Sequence, residues 1–158
     1  MKRVRTEVLE RKAVWADLNR EAKLTIIAAG GGWMFDAFDI MLLALLAVPI
    51  MKGLHLAPAQ LALVFSIQLG AAALGGVVMG TLADYIGRRN AMMINILVYS
   101  LSTGLIFFAH SLSTLLVLRF FTGLGLGGEW GLGMTLVAER IPDRFRGRAV
   151  AFANIGWP

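Results

Sequence analysis

The sequence predicts an all-α membrane protein with four transmembrane helices and the start of a fifth. Three observations predict it. The 158 residues are 58% hydrophobic and 16% charged, where an ordinary soluble domain is roughly 45–50% apolar and 25% charged. The apolar residues fall in blocks of about 20, long enough to cross a ~30 Å hydrocarbon core. Between the blocks lie short segments, alternately rich and poor in Lys and Arg, the pattern that sets orientation in a bilayer.

Residues 1–23 form a mixed-charge segment in which Val14, Trp15 and Leu18 fall near one helical face. It reads as a short amphipathic helix at the cytoplasmic interface; its interspersed acids argue against a nucleic-acid-binding tail. A secretory signal does not fit, because about two dozen polar residues precede an apolar run of full span length. Residues 24–158 form the transmembrane region. The first span runs from Leu24 to Met51, with Pro49 near its end. Lys52 to Ala59 is a loop, and Pro58 is placed to begin the second span, which ends at Asp84. A short basic turn, Asp84 to Asn90, leads into a third span that ends near His110. Ser111-Leu112-Ser113 makes a tight outer turn. The fourth span runs from Leu115 to Ala138, Glu139 to Arg148 is a charged loop, and Ala149 to Pro158 starts a fifth span.

The N-terminal segment carries seven Lys and Arg, the Asp84–Asn90 turn two and the Glu139–Arg148 loop four, so thirteen of fifteen fall on one side. That side is expected to be the cytoplasm. The basic excess therefore reads as membrane topology and not as nucleic-acid binding. With no cysteine, disulfides, thiolate catalysis and Cys-ligated metals are excluded. His55 and His110 fall at outer loops away from the acids. No nucleophile–base pair, metal cluster or phosphate loop is present in the sequence, so no enzyme, cofactor or metal is expected.

Four charged residues interrupt the spans. Asp36 and Asp39, three apart, share one helix face. A carboxylate near the bilayer centre costs ~2.5–3.5 kcal/mol to insert, and the apolar residues of the first span return a comparable sum. These acids are expected to face other helices or water, with proton or substrate binding as the role; the bland alternative is solvation near an interface. Arg119 and Glu129 lie ten residues apart on the fourth span, ~15 Å along the axis, too far to pair. Arg119 suits an anionic substrate or the Asp36/Asp39 pair, unless it lies near the outer end and snorkels to the headgroups. Glu129 lies deeper. Gly123-Leu124-Gly125-Leu126-Gly127-Gly128 matches G-x-G-x-x-G, but inside a membrane span it lacks the strand and helix that a dinucleotide site needs. Gly123, Gly127 and Gly131, like Gly76 and Gly80, are spaced by four and read as close helix packing.

Gly80-x-x-x-Asp84-x-x-Gly87-Arg88-Arg89 resembles the signature loop between helices two and three of the major facilitator superfamily. Arg119-x-x-x-Gly123-x-Gly125-x-Gly127-Gly128-Glu129-Trp130 resembles its fourth helix. Glu139-x-x-Pro142 followed by Arg146-Gly147-Arg148 resembles its loop between helices four and five. Asp36-Ala37-Phe38-Asp39 is similar to the first-helix acid pair of its proton symporters for aromatic and other organic acids, including the sialic-acid-like branch. The resemblance implies twelve helices in two halves built from inverted three-helix repeats, of which this chain would be the N-terminal part of the first half. It implies proton-coupled uptake of a small organic anion across a bacterial-type inner membrane. Asp36, Asp39, Arg119 and Glu129 would handle proton and substrate. Gly80, Asp84, Gly87, Arg88, Arg89, Glu139 and Arg146 would form a conformational latch, with Arg88 against Glu139 and Asp84 against a helix of the C-terminal half. The expected partners are the lipid bilayer, the organic anion, the proton and that missing half. The alternative is a small four-helix membrane protein with an assembly or regulatory role and no transport of its own.

Overall fold

The computed structural model of the chain describes residues 18–141, 147, 149–151 and 154. Most of the predicted N-terminal segment, Arg146, and most of the predicted start of a fifth span lie outside the described residues. Among the described residues the chain is helical throughout, with no strand. The helices are α1 (Arg20–Leu45), α2 (Ala47–Gly53), α3 (Pro58–Ile86), α4 (Arg88–Leu105, continued by a 3-10 turn to Phe108) and α5 (Leu112–Arg140).

Local chemistry accounts for the boundaries. Asn19 caps α1, its Oδ1 accepting from the Ala22 N–H at 2.8 Å, and Glu21 sits in the first turn where the helix dipole favours an acid. The helix therefore begins at Arg20 and not at Leu24. The first span is also not one continuous helix. Pro49 has no N–H to give the carbonyl of Leu45, and its ring crowds that carbonyl. The helix accordingly stops at Leu45, and the short α2 resumes at Ala47. Pro58 takes the first position of α3, and the Gln60 Oε1 accepts from the Ala57 N–H at 2.8 Å. Ser111 caps α5, its Oγ accepting from the Thr114 N–H at 3.2 Å.

The turn between α3 and α4 is shorter than its polar composition suggests. Asp84 to Ile86 and Arg88 to Asn90 are helical, and Gly87 alone connects the two helices, at φ 86° and ψ 147°. Side chains rarely tolerate that backbone region.

The helix α5 is the centre of the fold, packing on α3, α4 and α1. It runs parallel to α3: Gly123 abuts the Gln68 backbone and Gly127 the Ala72 backbone, each a step of four further on. It runs antiparallel to α4, where the fully buried Asn95 donates from Nδ2 to the Gly125 carbonyl at 2.9 Å. It is also antiparallel to α1, whose Ala22, Ile26 and Ala29 pack with Val137 and Ile141. A second apolar cluster joins Met79 and Ala83 to Ala91 and Leu132. The expected glycine packing is thus found at Gly123 and Gly127, and also at Gly75, where an added Cβ would strike the Leu124 backbone. It does not hold at Gly80 and Gly131, where an added Cβ would meet nothing within 4 Å.

The chain is an integral membrane protein: α1, α3 and the stretch Arg88–Phe108 are each long and apolar enough to cross a bilayer. The fourth expected span coincides with α5, which has the length, 29 residues, but not the composition. Six glycines, Arg119 and Glu129 dilute its apolar content, and most of these residues are buried against neighbouring helices.

Candidate functional site

Asp36 and Asp39 lie a turn apart on α1 and both face inward, 4% and 5% exposed. Their surroundings differ. Asp39 Oδ2 accepts from Arg119 Nη1 at 2.9 Å, forming an ion pair between α1 and α5 with both side chains buried. Gln68 of α3 joins them: its Nε2 donates to the same Asp39 oxygen at 3.4 Å, and its Oε1 accepts from Arg119 Nη1 at 3.5 Å. Three residues distant by 29, 51 and 80 in sequence thus converge from three helices. Asp36 is left out of this network; its Oδ1 is buried and finds no hydrogen-bond partner among the described residues.

Glu129, 4% exposed, lies against α1, where a Cβ at Gly32 would collide with its carboxylate. Glycine at position 32 therefore makes the room for this acid. Among the described residues the site gathers three buried carboxyl groups, Asp36, Asp39 and Glu129, and one buried cation, Arg119. A buried charge without a partner is costly. An environment with more acids than cations is suited to hold protons and to exchange them as charges enter or leave.

A cavity of about 860 Å³ opens between α1 and α3 with α5 at its base. Its wall is almost wholly apolar, with Phe65, Leu126 and Ala72 among its residues, and beside the two tryptophans its polar side chains are Asp36 and Gln68. Trp33 of α1 and Trp130 of α5 border it with ring centroids 6.2 Å apart. A small organic molecule with a flat apolar body and one polar group fits such a wall.

The second group of sequence-singled residues lies at the far end of α3. Arg88 Nη2 meets Asp84 Oδ1 at 2.9 Å, one turn away, and Arg88 Nε meets Glu139 Oε1 at 3.6 Å across to α5. Both acids are more than half exposed. Gly87 forms the joint itself, Arg89 is exposed beside it, and Gly80 faces open space. Arg146 lies outside the described residues.

Gln68, Trp33 and Asn95 escaped attention as site residues in the sequence. The signal for Gln68 was available: a strongly polar amide in the middle of an apolar span needs a partner. A survey of charges alone passes over it.

Comparison with known proteins identifies the family. Residues 28–158 match the Major Facilitator Superfamily. The chain is 42% identical over 132 residues to the niacin transporter NiaP of Acinetobacter baylyi, which covers 81% of this chain and 30% of that protein. It is 37% identical over 133 residues to the putative niacin/nicotinamide transporter NiaP of Bacillus subtilis, covering 82% and 33%. It is 32% identical over 145 residues to the sialic acid transporter NanX of Escherichia coli, covering 92% and 36%. No solved structure gives a significant match. The chain spans about a third of the length of these relatives. With the matched segment covering all but the first 27 residues, and the central glycine-rich helix and its buried ion pair inside it, the chain belongs to the Major Facilitator Superfamily.

Proposed function

We propose that this chain carries the proton- and anion-handling face of a secondary active transporter that imports a small organic acid. In a protein of its relatives' length, a second half would close over the cavity and alternate with this one. The helix α5 is read as the fourth span and the residues from Ala149 as the start of a fifth. The N-terminus and the Gly87 joint lie in the cytoplasm of a bacterial cell, a reading supported by thirteen of fifteen basic residues falling on that side.

The observation that carries the proposal is the buried Asp39–Arg119 pair set beside an uncompensated Asp36 on the wall of an apolar cavity. Arg119 supplies the cation that an anionic substrate needs. Asp39 holds that cation in its absence, and Asp36 exchanges the proton. The relatives named for niacin and sialic acid support a carboxylate substrate. Asp84, Arg88, Arg89 and Glu139 bias the conformation from the cytoplasmic end, joined there by Arg146.

Uptake of labelled nicotinate by the full-length transporter, in vesicles with and without an imposed inward-directed proton gradient, tests the reading. We expect uptake to follow the gradient in the wild type and to lose that dependence in Asp36→Asn, with membrane abundance unchanged. Carboxylate uptake indifferent to the gradient in the wild type would sink proton coupling. Orientation is tested separately. Cysteines placed at Arg89 and Ala57, in a chain with no other thiol, should be labelled from opposite faces of the membrane.

A further inference from the structure

The ion pair that would bind a carboxylate does not itself border the cavity. Gln68 of that network does, and so does the neighbouring Asp36. Gln68 is 5% exposed, yet it touches both members of the ion pair and also lines the cavity. An anion in the cavity therefore lies nearer Gln68 than Arg119, which is not on the wall. The Asp36 carboxyl group on the same wall repels the anion when ionised.

The distances say which part of the network yields. The Asp39–Arg119 contact is 2.9 Å, while the two contacts of Gln68 are 3.4 and 3.5 Å, at the long and weak end of hydrogen bonding. The Nε2 amide carries two N–H groups, and Asp39 engages it through one long bond. The second N–H can meet an incoming carboxylate while the first stays on Asp39 and Oε1 on Arg119 Nη1. Arg119 has a further donor to give, because its buried Nε finds no partner among the described residues.

We infer that Gln68 is a positioning residue for the substrate carboxylate, receiving it from the cavity and leading it to Arg119. This rests on the transporter reading above and assigns, within that reading, the residue that hands the carboxylate to the cation. A purely structural role, in which Gln68 only ties α1 to α3, predicts different kinetics.

The test uses the full-length transporter in vesicles, with labelled nicotinate, benzoate and nicotinamide as probes and Gln68→Leu, Gln68→Glu and Arg119→Gln as variants. In Gln68→Leu the KM for the acids should rise about tenfold or more, the scale of one hydrogen bond to a charged group. Vmax should stay within about twofold, and the preference for nicotinate over nicotinamide should fall by less than KM rises, because the amide carbonyl accepts the same bond more weakly. Gln68→Glu keeps the size but turns the donor into an acceptor, and it should do the same if Gln68→Leu fails to reach the membrane. Unchanged KM and unchanged acid-over-amide preference overturn the inference. So does a loss confined to Vmax and membrane abundance, which identifies a structural tie. A wild type that takes up neither acid overturns the transporter reading itself. Loss of acid uptake in Arg119→Gln alongside wild-type behaviour in both Gln68 variants removes only the role given to Gln68.

Discussion

Along α3, the central helix packs backbone against backbone: Gly127 lies on Ala72, Gly75 on Leu124 and Gly123 on Gln68, too close for any Cβ between them. Along α1, the same helix offers charge: Arg119 to Asp39, and Glu129 to the backbone at Gly32. Lipid tails are as apolar as leucine, so helices in a bilayer are held by close contact and hydrogen bonds and not by hydrophobic exclusion. The α3 seam is continuous close contact, which has no second arrangement without prising two backbones apart. The α1 seam is an apolar cluster near one end, where Ala22 and Ile26 meet Val137, and a polar one further along. Polar contacts exchange partners when a proton or an anion arrives. Under the proposed function the first seam stays and the second rearranges.

The largest effect should come from breaking the polar seam one-sidedly. Asp39→Ala leaves the guanidinium of Arg119 buried without its acid, a loss of about 3–5 kcal/mol, read as a lower unfolding temperature of the detergent-purified protein. Asp39→Asn with Arg119→Gln removes both charges and should recover most of that loss; additive losses would show that the two residues do not act as a pair.

The dry seam should yield less per substitution. Gly127→Val forces α3 and α5 apart and should cost about 1–3 kcal/mol, in the same unfolding measurement. Gly131→Ala, with open space around it, should be neutral or stabilise by up to about 1 kcal/mol, the ordinary helix preference for alanine. Equal losses at 127 and 131 would mean that glycine serves something other than close approach.

The smallest effect belongs to the exposed pair. Arg88→Ala should change stability by about 0.2–1 kcal/mol, because Asp84 and Glu139 are largely in solvent, and raised salt should shrink the difference. A loss of several kcal/mol there would place a third strong seam at the end of α3.

The sequence made some of this legible and hid the rest for physical reasons. The spans α1, α3 and α4 are visible because lipid contact demands a long apolar run, and such a run needs no knowledge of neighbours. The central α5 is harder to see by hydropathy, since glycine serves helix contact and is nearly neutral on any transfer scale. It was found by its place between a polar turn and a basic loop. The break before Ala47 was signalled by Pro49, but the disturbed carbonyl lies four residues upstream. The Gly87 joint is shorter than the polar stretch Asp84 to Asn90 suggests, because a polar helix end exposed to water looks like a loop. Asp36, Asp39, Arg119 and Glu129 stood out as charges in apolar surroundings. Gln68 did not, and its meeting with residues 39 and 119 is a property of three packed helices that no local pattern contains.

The one-residue joint at Gly87 has a mechanical consequence. A single residue reaches at most about 3.6 Å, so α3 and α4 have almost no room to slide past each other along their axes. The hairpin can pivot but has no piston stroke. One inserted residue would supply that stroke. If it entered the helix instead, it would turn α4 by about 100° and carry Asn95 away from the Gly125 carbonyl it bonds. Any displacement along the membrane normal must therefore move the hairpin as one lever, with Asp84 and Arg88 riding at its tip.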